Sequence, residues 1–204
     1  MIRSIVKTSL AFSFLFVAFH VSAQDKFEII HHYKPFKVDA GLGYARPQGF
    51  GAKAGALMYI EPKFNLLDKV SVGLRGEATA MARGAFNAGD FEASGEAGLS
   101  FSALGTADYY FTNRLVRPYV GGGAGVYKLI SVEGTSNGGG SITIPTETKF
   151  GGMVRAGVEI WHIRLGAEYN FIGKSGIIAN NYFGLKFGIV FGGGLKDDYK
   201  NEEY

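Results

Sequence analysis

The chain contains no cysteine, and only 19% of its 204 residues are charged. The absence of cysteine excludes disulfide bonds, and it also excludes a lipid-modified cysteine as an anchor. Soluble domains usually carry roughly 25% charged residues. After the N-terminal segment there is no run of about 18 or more apolar residues, so the sequence offers no membrane-spanning helix. Few charges without such a helix favour the other structure that can span a membrane, the closed β-barrel.

The N-terminus has the features of a secretory signal peptide. Basic residues precede an apolar run at 10–21, and a small-residue cleavage pattern ends at Ala23. We predict a signal peptide at 1–23, with an N-terminal membrane anchor as the alternative. A periplasmic N-terminal segment at 24–35, a barrel at 36–194 and a charged periplasmic tail at 195–204 are expected to follow. Two of the 21 Lys and Arg lie in the signal, so the remainder is nearly neutral and gives no support to a nucleic-acid partner.

Eight segments alternate apolar and polar residues with the period of two that a half-buried β-strand shows. One face of each segment is apolar, and the other holds glycine, polar and charged residues. Most segments reach the roughly 9–11 residues that a tilted strand needs to cross the hydrocarbon core. The segments are 36–45, 53–61, 69–81, 94–111, 117–130, 149–161, 163–171 and 182–191.

The connections between these segments differ in length and composition. Those after the second, fourth and sixth segments are short, at 62–68, 112–116 and 162. Those after the first, third and fifth are polar and rich in glycine, at 46–52, 82–93 and 131–148, and 172–181 follows the seventh. Short periplasmic turns and longer outer loops are typical of bacterial outer-membrane barrels, which have an even number of strands. We therefore predict an all-β fold, an eight-stranded antiparallel up-and-down transmembrane β-barrel.

The period of two does not say which face meets lipid, because a soluble lipocalin-type barrel would turn its apolar face inward. The polar face here is mostly small residues with isolated charges, which suits the limited space inside a narrow barrel. Aromatic residues near the segment ends resemble interfacial girdles. They are Tyr44, Tyr109, Tyr110, Phe111, Tyr119, Trp161, Tyr169, Phe171, Tyr182 and Phe191. We therefore predict that the apolar faces contact lipid.

The lumen predicted in this way contains charges of both signs in nearly equal number. Buried charges without partners cost several kcal/mol, so we expect ion pairs, and eight strands leave room only for side chains. We assign to a structural lumen charge network Lys37, Asp39, Arg75, Glu77, Glu96, Asp108, Arg155, Glu159, Arg164, Glu168 and Lys186. Lys53 and Glu61 belong to the same face. A filled barrel without a wide pore follows.

Three segments carry a resemblance to a known family. Residues 117–125 (RPYVGGGAG) resemble the R-P-Y-x-G-x-G-x-G strand of small outer-membrane β-barrel proteins. Residues 166–171 (GAEYNF) and 181–188 (NYFGLKFG) resemble their last two strands. The resemblance implies the outer-membrane β-barrel domain family, with porin-like small barrels of adhesion or structural role, at the bacterial surface. One departure is that Phe191 is followed by three glycines and a charged tail, which leaves the position of the assembly signal open.

These features favour a non-enzymatic protein with a structural or surface-interaction role. We predict no catalytic, metal-binding or cofactor-binding residues and no cofactor. A lipid-modifying outer-membrane enzyme is an alternative, but hydrolysis needs a nucleophile with a histidine base. His31, His32 and His162 lie before the first segment or in a predicted periplasmic turn. A narrow small-solute channel is the other alternative, and the strand number and the lumen charge balance argue against it.

The expected partners are outer-membrane lipid and, during insertion, the barrel-assembly machinery. An extracellular surface partner is a further hypothesis, because the loop at 131–148 is the longest. It would extend the fifth and sixth segments as a hairpin whose edge is open to strand addition. A loop without a partner is the alternative. The sequence specifies neither a ligand nor an oligomeric state.

Overall fold

A computed structural model describes residues 33–49, 52–83, 96–130, 134–135, 141–142, 146–175 and 178–194. The predicted signal peptide at 1–23, most of the predicted N-terminal segment and the predicted tail at 195–204 lie outside these residues. Within the described residues, no helix is long and apolar enough to cross a membrane.

Eight antiparallel strands form a closed barrel, in which each strand pairs with its neighbours in sequence and the last pairs with the first. Their bounds are β1 (Phe36–Pro47), β2 (Lys53–Leu67), β3 (Val70–Arg83), β4 (Glu96–Tyr110), β5 (Val116–Ile130), β6 (Glu147–Ile160), β7 (Ile163–Phe171) and β8 (Tyr182–Gly192). The β1–β8 register is continuous from Lys37 opposite Gly192 to Pro47 opposite Tyr182. This closure leaves the barrel without an open sheet edge.

The barrel has two unlike ends. At one end, here called the turn end, residues 68–69, 111–115 and 161–162 join β2 to β3, β4 to β5 and β6 to β7. At the other, here called the loop end, the longer connections 48–52, 84–95, 131–146 and 172–181 join the remaining pairs. In two of these, short ladders pair Gly134–Thr135 with Ser141–Ile142 and Lys174–Ser175 with Ile178–Ala179.

The chain on either side of the barrel strands meets at the turn end. Lys34 N donates to Gly194 O at 3.0 Å, and Gly193 N donates to Phe36 O at 3.0 Å. Gly192 and Gly193 have φ angles of 77° and 62°, a left-handed conformation that glycine adopts at little cost. The glycine pair therefore ends β8, while residues 193 and 194 stay hydrogen-bonded to Phe36 and Lys34.

The side chains alternate between an apolar outer wall and a polar lumen. Leu42 and Phe150 on the outer wall are 64% and 77% exposed, whereas Asp39 and Glu61 in the lumen are 0% exposed. Apolar side chains outside and charges inside are the reverse of the arrangement in a water-soluble protein. Glycines keep the lumen wide enough for large side chains, since a Cβ on Gly188 would lie 2.2 Å from the Tyr59 hydroxyl.

Several strand ends differ from the predicted ones. β2 continues to Leu67, so the predicted turn at 62–68 shrinks to residues 68–69. The reason is that the alternation continues past Pro62, with Lys63 buried and Phe64 exposed. β4 ends at Tyr110 and β6 at Ile160, one residue before the predicted ends.

Three aromatic residues predicted in the girdles point into the lumen instead. Tyr110, Tyr119 and Tyr182 are at most 4% exposed. Each occupies a lumen-facing strand position, two residues from a charged or glycine position that also faces inward. The predicted girdle residues that are exposed on the outer surface are Tyr44, Tyr109, Phe111, Trp161, Phe171 and Phe191.

Candidate functional site

A network of charged side chains runs through the inside of the barrel. Within the described residues, six cationic and six anionic side chains are buried there, each at most 7% exposed, and a seventh cation, Lys186, is half-buried. They are Lys37, Lys63, Arg75, Arg117, Arg155, Arg164 and Lys186 with Asp39, Glu61, Glu77, Asp108, Glu159 and Glu168. The two signs nearly balance, as burial in a low-dielectric interior requires.

Glu159 is the centre of the cluster nearest the turn end, here called the turn-end cluster. Lys37 Nζ donates to Glu159 Oε1 and Oε2 at 3.0 and 2.8 Å and to the Tyr110 hydroxyl at 2.9 Å. Arg117 Nη1 and Arg164 Nη1 donate to the same carboxylate at 3.4 and 3.3 Å. The Tyr110 hydroxyl also donates to Glu159 Oε2 at 2.9 Å. The Glu159 carboxylate thus has three cationic partners.

Arg155 links the two carboxylates of the central cluster, which consists of Glu61, Lys63, Asp108, Arg155 and Arg164. Arg155 Nε donates to Asp108 Oδ1 at 2.7 Å, and Arg155 Nη1 and Nη2 donate to the two Glu61 oxygens at 2.7 Å each. Lys63 Nζ and Arg164 Nη2 donate to Asp108 Oδ2 at 2.8 and 2.7 Å. Bidentate arginine–carboxylate pairs of this kind combine strength with a fixed geometry.

Two carboxylates and two cations form the loop-end cluster, which consists of Arg75, Glu77, Glu168 and Lys186. Arg75 Nη1 donates to Glu168 Oε2 at 2.6 Å, and its other terminal nitrogen contacts Glu77. Lys186 Nζ lies 2.7 Å from Glu168 Oε2 and also pairs with Glu77. The Tyr182 hydroxyl donates to Glu77. Every charged group of this cluster therefore has at least one partner of opposite sign.

Apolar side chains fill the lumen between this cluster and the loop end. Met81 and Leu129 lie near the loop ends of β3 and β5, and Ile172 follows β7. The buried apolar layer consists of Ala45, Leu57, Met81, Leu129 and Ile172. Leu104, opposite Arg75 in the β3–β4 register, and Met153, whose Sδ lies 3.6 Å from Arg75 Nη1, lie beside the loop-end cluster. Apolar lining of this kind disfavours hydration of the lumen.

One small cavity lies between the central and loop-end clusters. It measures about 10 Å³, and Asp39, Arg75, Arg155, Arg164 and Lys186 are among its lining residues. A single water molecule needs about 10–15 Å³ of space that is open to its centre. The cavity therefore has room for about one water molecule between the charges.

Tyr33, from the segment before β1, covers the lumen at the turn end. The Arg117 guanidinium lies between two rings, 3.8 Å from the Tyr33 centroid and 4.0 Å from the Tyr110 centroid. The Tyr33 hydroxyl donates to Arg114 O at 2.8 Å. Burial raises the pKa of the Tyr33 phenol above its ordinary value. Arg117 is thereby shielded from solvent by a residue outside the barrel strands.

The predicted lumen residues occupy the positions just described, with two differences. Ten of the eleven residues assigned to the network lie in the three clusters or, for Asp39, beside them, with its Oδ2 3.2 Å from Arg164 Nε. The Glu96 side chain lies outside the described residues. Lys53 is exposed rather than inside, because the β2–β3 register shifts between Lys53 and Ala56.

The sequence interpretation missed two lumen cations, Lys63 and Arg117. Lys63 falls within the predicted connection at 62–68, although its spacing from Glu61 matches the inward positions of β2. Arg117 shares strand parity with Tyr119 and Gly121, which already indicated an inward side chain. In both cases the signal was the alternation of inward and outward side chains, extended by two residues along the strand.

His162 is the histidine that falls within the described residues, in the turn between β6 and β7. Its Nδ1 lies 2.7 Å from Val190 O, and its ring packs on Trp161 with centroids 4.4 Å apart. His31 and His32 lie outside the described residues. In the part of the chain that the structure describes, no group of His, Cys, Asp and Glu side chains is arranged to hold a metal ion.

Comparisons with known proteins give a match at the level of the fold. No protein-family model and no curated protein matches the chain. The crystal structure of Neisserial surface protein A (NspA) is similar with a TM-score of 0.55 and 20% identity, over 79% of this chain and 99% of that chain. The outer membrane protein OprG from Pseudomonas aeruginosa is similar with a TM-score of 0.53 and 14% identity, over 81% of this chain and 100% of that chain. These matches confirm the predicted fold, that of small eight-stranded outer-membrane barrels.

Proposed function

We propose that this chain is a non-enzymatic protein of the bacterial outer membrane, with a filled lumen and a structural or surface-interaction role carried by its loop end. The observation that carries the proposal is the filling of the lumen by paired charges, among which one cavity of about 10 Å³ has room for about one water molecule. Lipid would contact the apolar outer wall, and the barrel would provide a rigid base for the loop-end segments.

Planar-bilayer conductance tests the filled lumen. We expect purified protein, inserted as a folded barrel with heat-modifiable gel migration, to add no stepwise conductance to the bilayer. The charge clusters and the apolar layer lie in series along the lumen, so an ion would have to pass both. Reproducible conductance steps from heat-modifiable protein would reject the filled lumen and favour the narrow channel.

The orientation is a separate part of the proposal, with the turn end in the periplasm and the loop end outside the cell. The lengths of the connections support this orientation. Because the chain has no cysteine, Gln48→Cys at the loop end and Lys69→Cys at the turn end each introduce a single labelling site. In intact cells we expect a membrane-impermeant maleimide to label the first variant and to leave the second unlabelled. Labelling of the Lys69→Cys variant alone would show that the orientation is the reverse of the one proposed.

The absence of enzymatic activity is supported by the position of His162 in the turn at the turn end, where its Nδ1 contacts a backbone carbonyl. A surface-lipid hydrolase would need a histidine base beside a nucleophile near the outer leaflet. Incubating the folded protein with outer-membrane lipids is therefore expected to release no fatty acid. Fatty-acid release by the wild type that is lost in a serine-to-alanine variant would favour the enzyme.

A surface partner that binds the loop at 131–148 remains part of the proposal. The described backbone of this loop includes the ladder between Gly134–Thr135 and Ser141–Ile142, which would offer a short edge for strand addition. Deleting residues 132–145 is expected to abolish the binding of whole cells to a surface that the wild-type cells bind. Heat-modifiable migration of the deletion variant verifies that its barrel is folded. Unchanged binding after this deletion would remove the support for a partner at this loop. Interaction with the barrel-assembly machinery during insertion is likewise proposed from the fold.

A further inference from the structure

Within the described residues, four charged residues of the eight strands are exposed, and all lie at the loop end: the cations Arg46, Lys53 and Lys128 and the anion Glu147, which pairs with Lys149. Arg46 at the loop end of β1 and Lys128 at the loop end of β5 occupy outward-facing positions of the alternation. Both are cations, and the outward-facing strand positions near the turn end are uncharged. β1 and β5 are four strands apart in either direction around the barrel. The two cations therefore lie on opposite sides of one rim.

Arg46 lies at the end of an apolar stripe on the outer wall. Leu42 and Tyr44 precede it on the same face of β1, and Phe183 and Leu185 of β8 lie opposite Arg46 and Tyr44. The four apolar and aromatic side chains are between 40% and 64% exposed. A lipid whose acyl chains lie along this stripe would place its headgroup beside Arg46.

Arg46 shares an open depression at the loop end with a second cation, Lys174. The depression measures about 570 Å³, and its lining contains no carboxylate. The remaining lining residues are Pro47, Gln48, Gly49, Ala52 and Ala179. Neither the Arg46 guanidinium nor the Lys174 ammonium makes a hydrogen bond or an ion pair with a described residue. Two cations without a counter-charge, at the edge of an apolar wall, complement an anionic headgroup with attached acyl chains.

We propose that the loop-end rim binds the phosphate groups of an anionic lipid of the outer leaflet. Arg46 and Lys174 form one contact site, and Lys128 forms a second on the opposite side of the barrel. The inference rests on the outer-membrane placement proposed above. The exposed stripe beside Arg46 favours a lipid over free phosphate, because only a lipid would also cover Leu42 and Phe183.

Binding of a bis-phosphorylated glycolipid, lipid A, to the folded protein in detergent micelles tests the site. Each Lys or Arg near an anionic lipid surface contributes about a fivefold change in affinity. The double variant Arg46→Gln/Lys174→Gln is therefore expected to bind about 25-fold more weakly than the wild type, and Lys128→Gln about fivefold more weakly. Lys69→Gln is the matched control, because it removes an exposed cation at the turn end, and we expect it to leave the affinity unchanged.

Three further arms of the experiment separate the outcomes. Lipid A without its phosphates is expected to bind wild type and double variant equally, and weakly. Wild-type affinity in the double variant, or an equal loss in Lys69→Gln, would overturn the proposal. Displacement of lipid A by millimolar inorganic phosphate alone would identify a free-phosphate site and would also overturn it. Heat-modifiable migration of every variant verifies the fold, and the conductance and cell-labelling experiments test the proposed function independently of these affinities.

Discussion

Replacement of Arg155 by methionine removes the side chain that links the two carboxylates of the central cluster. Methionine is unbranched and matches the arginine side chain as far as Nε, so the space of the apolar part of the side chain stays filled. The guanidinium, however, makes three hydrogen bonds of 2.7 Å to Glu61 and Asp108. After the substitution both carboxylates stay buried, but they lose the positive charge and the hydrogen bonds of Arg155.

The expected loss of stability follows from these contacts. A hydrogen bond to a charged group contributes about 1.5–3 kcal/mol, so three such bonds set an upper range near 5–9 kcal/mol. Some compensation remains, because Lys63 Nζ lies 2.8 Å from Asp108 Oδ2 and 3.5 Å from Glu61 Oε1. Arg164 also keeps its bond to Asp108. Removing one partner of a buried pair costs about 3–5 kcal/mol, which we expect for Arg155→Met.

Urea unfolding of the protein in micelles measures this loss, followed by heat-modifiable migration and by the fluorescence of Trp161, the only tryptophan. Arg155→Lys keeps the charge without the bidentate geometry and should lie between wild type and Arg155→Met. The double variant Glu61→Gln/Arg155→Met removes one charge of each sign, so its loss should be smaller than the sum of the single losses. A loss below about 1 kcal/mol in Arg155→Met would refute the view that paired lumen charges hold the barrel together.

Two further predictions use the same unfolding assay. Gly121→Ala is expected to cost about 1–3 kcal/mol, because its Cβ would lie 2.1 Å from Asp108 Oδ1; Gly76→Ala, whose Cβ would have its nearest neighbour at 4.0 Å, is the control and should be neutral or stabilising. Tyr33→Ala should cost about 1–2 kcal/mol through loss of the ring on Arg117, and Tyr33→Phe should cost less, because it keeps the ring. Because the pKa of Tyr33 is raised in the folded state, its contribution is full below pH 10 and falls as the pH rises above 10, so wild type should lose stability relative to Tyr33→Phe there. Equal losses in the two glycine variants, or in the two tyrosine variants, would contradict these assignments.

The architecture could be predicted from the sequence because strand alternation is a local property. The bounds of β7 agree with the predicted segment at 163–171, where residues 161–162 form a tight turn and Gly173 follows. The error at β2 is that the predicted segment ends at 61, whereas the strand continues to Leu67. In the barrel Pro62 occupies an outward-facing strand position, and the alternation passes through it unchanged.

The pairing of the lumen charges could not be predicted from the sequence. Arg155 and Glu61 are 94 residues apart and belong to β6 and β2, which do not pair with each other. Their contact depends on barrel closure and on the stagger between strands, which alternation alone does not determine. The contact between Tyr33 and Arg117 was equally hidden, because Tyr33 belongs to a segment without a periodic pattern.

The arrangement of the lumen separates two kinds of function by their energetic requirements. Passage of a solute would need the central and loop-end clusters to open together, which breaks charge-assisted hydrogen bonds such as the three made by Arg155. It would also need hydration of the apolar layer that includes Met81 and Leu129, which lies nearer the loop end than the charges. Recognition at the loop end needs neither change, because Arg46 and Lys128 are already exposed on the rim. Paired charges that fill the lumen are therefore compatible with a binding surface at the loop-end rim, but they are not compatible with a conducting pore in the same barrel.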